Sequence, residues 1–530
     1  MSEHRRRRWQ LSGARAAEGV GTLRPRLLLL LSLAAGALFL GALDAYAVAT
    51  LLPHMLADLN LSVDHLEQAS PIVAGFLGGY VVAMPLLGAF SDARGRVPAV
   101  LIALAVFAAG SVLTGLAGSL FWLVAGRTVQ GLGGGALVPL ALAMAADSAA
   151  GPARVRALGA VAAVQEAGSV MGPVYGTVLA LWLARFGGWR AVFLIDLPIA
   201  VVLAIAIWFL RPAAPPPPLR GGISPPSGEE TRVDWQAALL LACGLGALVA
   251  GLYPDNPELH PLNPYAPWFL LLAGLLLGGF GWRQWRRLGP LLPSRVLHSA
   301  GFWGALGVNL LVGGGLMVAL VDIPIFARAV FNVDQNAAGL LLTSFLAGVP
   351  LGALAGGWLA ARLGFRWPAL VGLILASALF WVLAGWGVGE LHTHVWLLRR
   401  TDVELIGLGF GFGLVIAPLA AAALASSRSE HGLVSSLVVA ARTIGMLVGL
   451  SALTAFGLWR FNQLLTARPQ PPDTMSLSER LHYLEKGVTQ ALLVEYHEIF
   501  LITAAICLAA AAVCALTLRP SEEPRPAGAG

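Results

Sequence analysis

Charged side chains inside long apolar runs are where this 530-residue chain could do chemistry. Glu166 stands in Gly159–Thr177, which reads GAVAAVQEAGSVMGPVYGT. An ionised group within a membrane span costs roughly 2.5–3.5 kcal/mol on insertion scales, so it is expected to face a cavity or a partner. At 3.6 residues per turn, Gly159, Ala162, Glu166 and Pro173 share one stripe, while Gly168, Gly172 and Gly176 repeat on a face turned away from it. That second face is a small-residue ridge, along which a neighbouring helix can approach closely. Asp44 in GALDAY, Asp322 in ALVDIP, Arg127 and Arg442 are further charges inside apolar runs. Arg442 shares a face with Ser435, Gly445, Met446 and Gly449; it either supplies the counter-charge that Asp44 and Glu166 need or reaches water from the inner end. Arg127 and Gln130 share a face, and the arginine either meets a buried anion or snorkels to the outer interface. Asp322 lies toward the outer end of its run, where an interfacial role and a cavity role both fit.

The elements that must position these groups follow from composition. The chain is 57% hydrophobic and 12% charged, against about 25% charged residues in soluble domains. Apolar runs of about 20 residues, enough to cross ~30 Å of hydrocarbon, recur along it. The expected class is therefore an all-α polytopic membrane protein. Fourteen spans are read at 27–55, 71–91, 98–118, 121–146, 157–183, 191–210, 235–253, 266–285, 300–327, 338–361, 367–387, 403–425, 432–459 and 497–518. They divide into a basic cytoplasmic arm (1–26), a six-helix bundle (27–210), a Pro-rich linker (211–234) and two linker spans (235–285). A second six-helix bundle (286–518), with a long outer segment at 460–497, and a cytoplasmic tail (519–530) complete the chain.

Arginines concentrate in the segments that lie inside if the N-terminus is inside, among them Arg94, Arg96, Arg154, Arg156, Arg283, Arg286 and Arg287. The positive-inside rule then places both termini in the cytoplasm of a cell membrane. A cleaved signal peptide would compete, but the first apolar run is too long for one. The net charge of +6 is no nucleic-acid signal, because the arginines sit at span ends. Cys243, Cys507 and Cys514 fall within spans, with neither zinc spacing nor a disulfide framework, and no metal site is expected. The two bundles echo each other: Gly88-Ala-Phe-Ser-Asp-Ala-Arg-Gly95 has a weaker counterpart in Gly357-Trp-Leu-Ala-Ala-Arg-Leu-Gly364. Paired six-helix halves with a site between them are the layout of a secondary transporter.

Three motifs carry a resemblance to the major facilitator superfamily over nearly the whole chain. Gly88, Asp92, Gly95 and Arg96 match the loop G-x-L-a-D-r-x-G-r-k; Ala93 and Val97 replace basic residues there, with Arg94 a candidate substitute. A carboxylate at a helix end can take backbone N–H groups and arginines of a neighbour, so the loop reads as a conformational latch; a plain cytoplasmic turn is the competing reading. Arg127, Gln130 and Gly131 match R-x-x-q-G, whose arginine the family associates with proton coupling. Gly159, Gly168, Gly172, Pro173 and Gly176 match the antiporter pattern G-x8-G-x3-G-P-x2-G-G, with Thr177 departing from its last glycine. Fourteen spans resemble the drug:proton antiporters. LGALDAY at Leu40–Tyr46, Pro85–Asp92 and the Gln165-Glu166 pair within Ala163–Gly176 are similar to actinobacterial triacylglycerol and lipoglycan exporters that work with a periplasmic lipoprotein. That resemblance implies transport roles for Asp44, Glu166 and Arg442; as two carboxylates in a low-dielectric cavity, Asp44 and Glu166 are expected to form the proton-coupling pair, with Asp92 as the latch.

The expected function is proton-coupled export of a hydrophobic or amphipathic substrate, such as triacylglycerol, by a monomer using the proton gradient and no cofactor. Multidrug efflux is the alternative and a passive lipid scramblase a further one. Lys486 is the only lysine and no G-x4-G-K-[ST] loop exists, so intrinsic ATP-driven transport is excluded. G-x-S-x-G and H-E-x-x-H are also missing, so no hydrolase is expected. In the outer segment, Ser476-Leu-Ser-Glu479 is a capping box. Leu477, Leu481, Leu484, Val488 and Leu492 follow it at helical spacing. The last two spans are expected to extend past the outer face as a pair, which the resemblance implies is a lipid ramp and a lipoprotein docking place. An interfacial helix lying flat is the competing reading.

Overall fold

The computed structural model describes residues 25–59, 70–211, 234–253, 262–286, 291–395, 398–427, 430–467 and 476–518. The expected basic arm, save its last two residues, nearly all of the Pro-rich linker and the C-terminal tail lie outside them. Fourteen long helices make up the described chain: α1 (Pro25–Asp58), α2 (Ser70–Arg94), α3 (Arg96–Gly115), α4 (Leu120–Ser148), α5 (Gly151–Trp182), α6 (Trp189–Leu210), α7 (Trp235–Leu252), α8 (Ala266–Arg286), α9 (Ala300–Val330), α10 (Gln335–Leu363), α11 (Arg366–Leu383), α12 (Arg400–Ala425), α13 (His431–Thr466) and α14 (Leu477–Thr517). Thirteen are long and apolar enough to cross a membrane. The exception is α5, whose sequence carries Arg154, Arg156, Gln165 and Glu166. A two-residue antiparallel hairpin between α11 and α12, His394–Val395 with Leu398–Arg399, is the small departure from an all-α chain.

One helix start differs from the sequence reading for a visible reason. α5 starts at Gly151, six residues before the expected 157, because Pro152 sits in its first turn, where a fixed φ and a missing N–H suit a helix start. α14 starts at Leu477, where the capping box places it, and runs unbroken through the outer segment and the last span. The Ser476 hydroxyl accepts from the backbone N–H of Glu479, and the Glu479 carboxylate accepts from the backbone N–H of Ser476 at 2.8 Å. The 41 residues of α14 measure about 60 Å at 1.5 Å per residue, twice the hydrocarbon thickness.

Helices α1–α6 and α9–α14 form two bundles, with α7 and α8 packed as a pair beside α2. Asp234 caps α7 through Ala237 N–H (3.1 Å) and holds Arg283 of α8 at 3.0 Å. In lipid the hydrophobic effect does not draw helices together, so close backbone packing must. The ridge on α5 does this against α1. A Cβ on Gly168, Gly172 or Gly176 would stand 2.8, 2.6 or 2.9 Å from the carbonyl oxygens of Phe39, Leu43 and Ala47. Both helices thus meet along rows four residues apart. Gly159 instead faces the other bundle, where its added Cβ would lie 2.8 Å from Gly357 Cα of α10.

Contacts between the bundles gather toward the end that holds the α2–α3 turn and the start of α13. On that side Ala162, Ala163, Ala353 and Ile416 pack together. Ser435 and Ser436 of α13 donate to the carbonyls of Pro139 and Met84 at 2.9 and 2.7 Å.

Candidate functional site

Of the residues expected to form a latch, Gly88, Asp92, Gly95 and Arg96 build a contact across the bundles at that end. Gly95, with φ of 96°, allows the turn that brings α3 back beside α2. Asp92 accepts from the backbone N–H groups of Gly432 and Leu433, at 2.8 and 2.9 Å, in the first turn of α13. Those amides have no partner within their own helix, and a carboxylate also favours the positive helix end. Gly88 lets α2 reach α13, since a Cβ there would stand 2.7 Å from Gly432 O. Arg96 donates to Asp92, to Ser91 Oγ at 2.7 Å and to Asp147 Oδ2 at 2.7 Å. His431 Nδ1 lies 2.5 Å from Asp147 Oδ1. Arg94 is exposed, so Arg96 and not Arg94 is the arginine of this network. Sequence reasoning does not reach Asp147 or His431, because one acid at a span end and one histidine after a loop carry no periodic signal.

Removing the Asp92 charge is expected to loosen this end. A carboxylate at a helix N-terminus is worth about 1–2 kcal/mol in a partly buried setting, a shift of about 5- to 30-fold between two states. Asp92→Asn should therefore lengthen the distance between spin labels at Ala157 and Ala361, on α5 and α10. An unchanged distance distribution with full transport would show that this contact is not a latch.

Deeper in, α5 and α13 supply a second cross-bundle contact. Arg442 Nη1 lies 3.4 Å from Glu166 Oε1, with the two side chains 10% and 15% exposed. Tyr46 and Tyr80 stand close enough to feel both charges, and Ser169 Oγ donates to the Gln165 carbonyl at 3.3 Å. Gln165 is buried on the same helix. The alternative in which Arg442 reaches inner water does not describe this geometry.

Asp44 does not join that pair. It lies within the first bundle, where Arg127 Nη1 donates to its Oδ2 at 2.8 Å, and both side chains are 1% exposed. The guanidinium is not at an interface, as snorkelling would need. Phe76 lies under it at 4.2 Å and Phe193 at 5.6 Å. Gln130 Oε1 takes a second bond from Arg127 at 2.7 Å, and Gln130 Nε2 donates to Ser111 Oγ at 2.8 Å. The two acidic residues expected to form one pair thus have an arginine each. Two further residues of this cluster escape sequence reasoning: Tyr175 Oη donates to Asp196 Oδ1 at 3.3 Å. Their signal in sequence is one acid in the apolar run of α6. Asp322 sits apart on α9, half-buried, within electrostatic reach of the buried Glu495 of α14.

Arg460 of α13 holds Glu498 of α14 in a bidentate pair at 2.6 and 2.7 Å. Beyond it, Leu477, Leu481, Leu484 and Val488 form an exposed stripe on α14, from 76% exposed at Leu477 to 39% at Val488.

The Major Facilitator Superfamily profile matches residues 34–450 and again 305–530. A triacylglyceride transporter of Mycolicibacterium hassiacum is 41% identical over 490 residues, covering 89% of this chain and 88% of that one. A triacylglyceride transporter of Mycobacterium tuberculosis (strain H37Rv) is 39% identical over 487 residues, covering 89% and 91%. Among solved structures, the human organic anion transporter MFSD10 superimposes with a TM-score of 0.57 at 17% identity, over 91% of this chain and all of that one.

Proposed function

This chain belongs to the major facilitator superfamily, and from that premise we propose that it exports triacylglycerol-class lipid in exchange for protons. It is a multi-pass membrane protein; the proposed setting is the cytoplasmic membrane with both termini inside. The observation that carries the reading is the Glu166–Arg442 pair, a half-buried carboxylate and a buried arginine held one from each bundle. Such a pair ties the bundles while it is charged. A proton on Glu166 removes the attraction, so proton uptake and bundle movement become one event. The proton gradient supplies the energy, and the substrate class follows the relatives, both named for triacylglyceride transport. A lipid-carrying lipoprotein on the outer side is the proposed partner, meeting the stripe on α14.

The test is transfer of a fluorescent triacylglycerol from proteoliposomes to acceptor vesicles with and without an imposed pH gradient. Transfer should rise with the gradient and collapse when a protonophore dissipates it. Transfer of the same rate in both conditions would favour a scramblase. Gradient-driven efflux of a cationic dye without lipid movement would favour the multidrug reading.

A further inference from the structure

Asp196 is fully buried on α6, and nothing in the export reading uses it. One of its oxygens, Oδ1, accepts from Tyr175. The other, Oδ2, receives no hydrogen bond from any N–H or O–H donor among the described residues. Asp44 is in the mirror situation: Oδ2 takes Arg127, and Oδ1 has no donor. Phe193, one turn before Asp196 on α6, has its ring 5.6 Å from the Arg127 guanidinium that holds Asp44, so the two carboxyl groups belong to one buried cluster. An ionised carboxylate only accepts, so two ionised groups in contact could only repel; a protonated one has an O–H to donate. We propose that Asp196 carries a proton in this conformation and donates it from Oδ2 to Asp44 Oδ1, forming an acid pair beneath Arg127.

The charges facing the pair support this from every side. α4 contributes Arg127 as the one cation facing it among the described residues, and α5 contributes Tyr175. Arg190, on α6 itself, is occupied by Asp58 of α1 and by the Ala117 carbonyl at the end of α3. Two carboxylates against one guanidinium would leave a surplus negative charge in a dry site, which costs several kcal/mol. One proton cancels the surplus and satisfies both orphaned oxygens. The bundle then holds a bound proton away from Glu166, and its exchange with the outside is a second protonation step. This rests on the proton-coupled reading above only for its use in transport, not for the proton's presence.

The experiment is infrared difference spectroscopy of the purified full-length protein in nanodiscs at neutral pH. The carbonyl stretch of a protonated carboxylic acid, identified by its shift in D2O, is compared between variants. Asp196→Asn should lose one such band, with its amide still able to donate to Asp44, so that melting temperature and monodispersity are kept. Asp44→Asn should shift the band by changing its acceptor, and Glu166→Gln should leave it in place. An Asp196→Asn spectrum that loses an ionised carboxylate band instead would overturn the proposal. If that variant does not fold, Asp196→Glu and Asp44→Asn decide: a band unaltered in both refutes it, and a shifted band supports it. In the lipid-transfer assay Asp196→Asn should drop to the rate seen without a gradient. A wild type whose transfer ignores the gradient would remove the coupling reading while leaving the bound proton to the spectra.

Discussion

Glu166→Gln stops gradient-driven lipid export while the protein remains folded: that is the largest expected effect of a single substitution. The amide keeps the size of the side chain and can still accept from Arg442, so the contact between α5 and α13 survives in weaker form. What is lost is the ability to exchange a charged, attractive state for a neutral one. The expected fall in gradient-driven rate is at least tenfold, equivalent to about 1.4 kcal/mol or more on the rate-limiting step. Arg442→Gln should be harsher on folding, because it leaves Glu166 as an uncompensated half-buried charge, worth up to about 3–5 kcal/mol. The double variant should then be more stable than Arg442→Gln alone. Thermal unfolding of the four proteins measures the coupling, expected at about 0.5–3 kcal/mol for groups in contact. Additive effects, or full gradient-driven transport by Glu166→Gln, would show that this pair neither ties the bundles nor carries coupling.

The second large effect is expected far from any charge. Leu477, Leu481, Leu484 and Val488 are exposed on one side of α14, beyond the Arg460–Glu498 pair. Burying one such side chain against an apolar partner contributes about 1.5–3 kcal/mol, and half-exposed ones contribute correspondingly less. Four acting together can hold an acyl chain outside the bilayer; one cannot. Replacing all four with glutamine keeps helix propensity close to that of leucine and leaves the capping box and the bundle contacts untouched. Lipid transfer should fall more than about tenfold, the equivalent of ~1.4 kcal/mol, while circular dichroism and melting temperature stay at wild-type values. Wild-type lipid transfer in this variant would falsify the ramp reading and move the balance toward efflux of small drugs. The same protein separates two placements of α14: a helix lying flat in the membrane would release from lipid on this change, altering the quenching by brominated lipids of a fluorophore attached at position 482 of α14.

Local rules make much of this fold legible in the order of its residues. Hydrocarbon thickness fixes how many apolar residues a span needs, so fourteen helices can be counted without coordinates. Backbone hydrogen bonding makes Ser476 and Glu479 a helix start, and the four-residue spacing of Gly168, Gly172 and Gly176 announces a close helix crossing. The Asp92 turn is legible too, because a carboxylate there exceeds what charge placement alone requires. What those pieces meet is a matter of packing. That the glycine ridge lies on α1 while Gly159 lies on α10 depends on the tilt and rotation of whole helices. The same rotations give Asp44 to Arg127 and Glu166 to Arg442, where sequence reasoning puts both acids together. Asp147, His431, Tyr175 and Asp196 enter the site only in three dimensions. A periodic pattern tells which face of a helix a residue occupies; which charge lies opposite is settled by the packing of helices far apart in the chain.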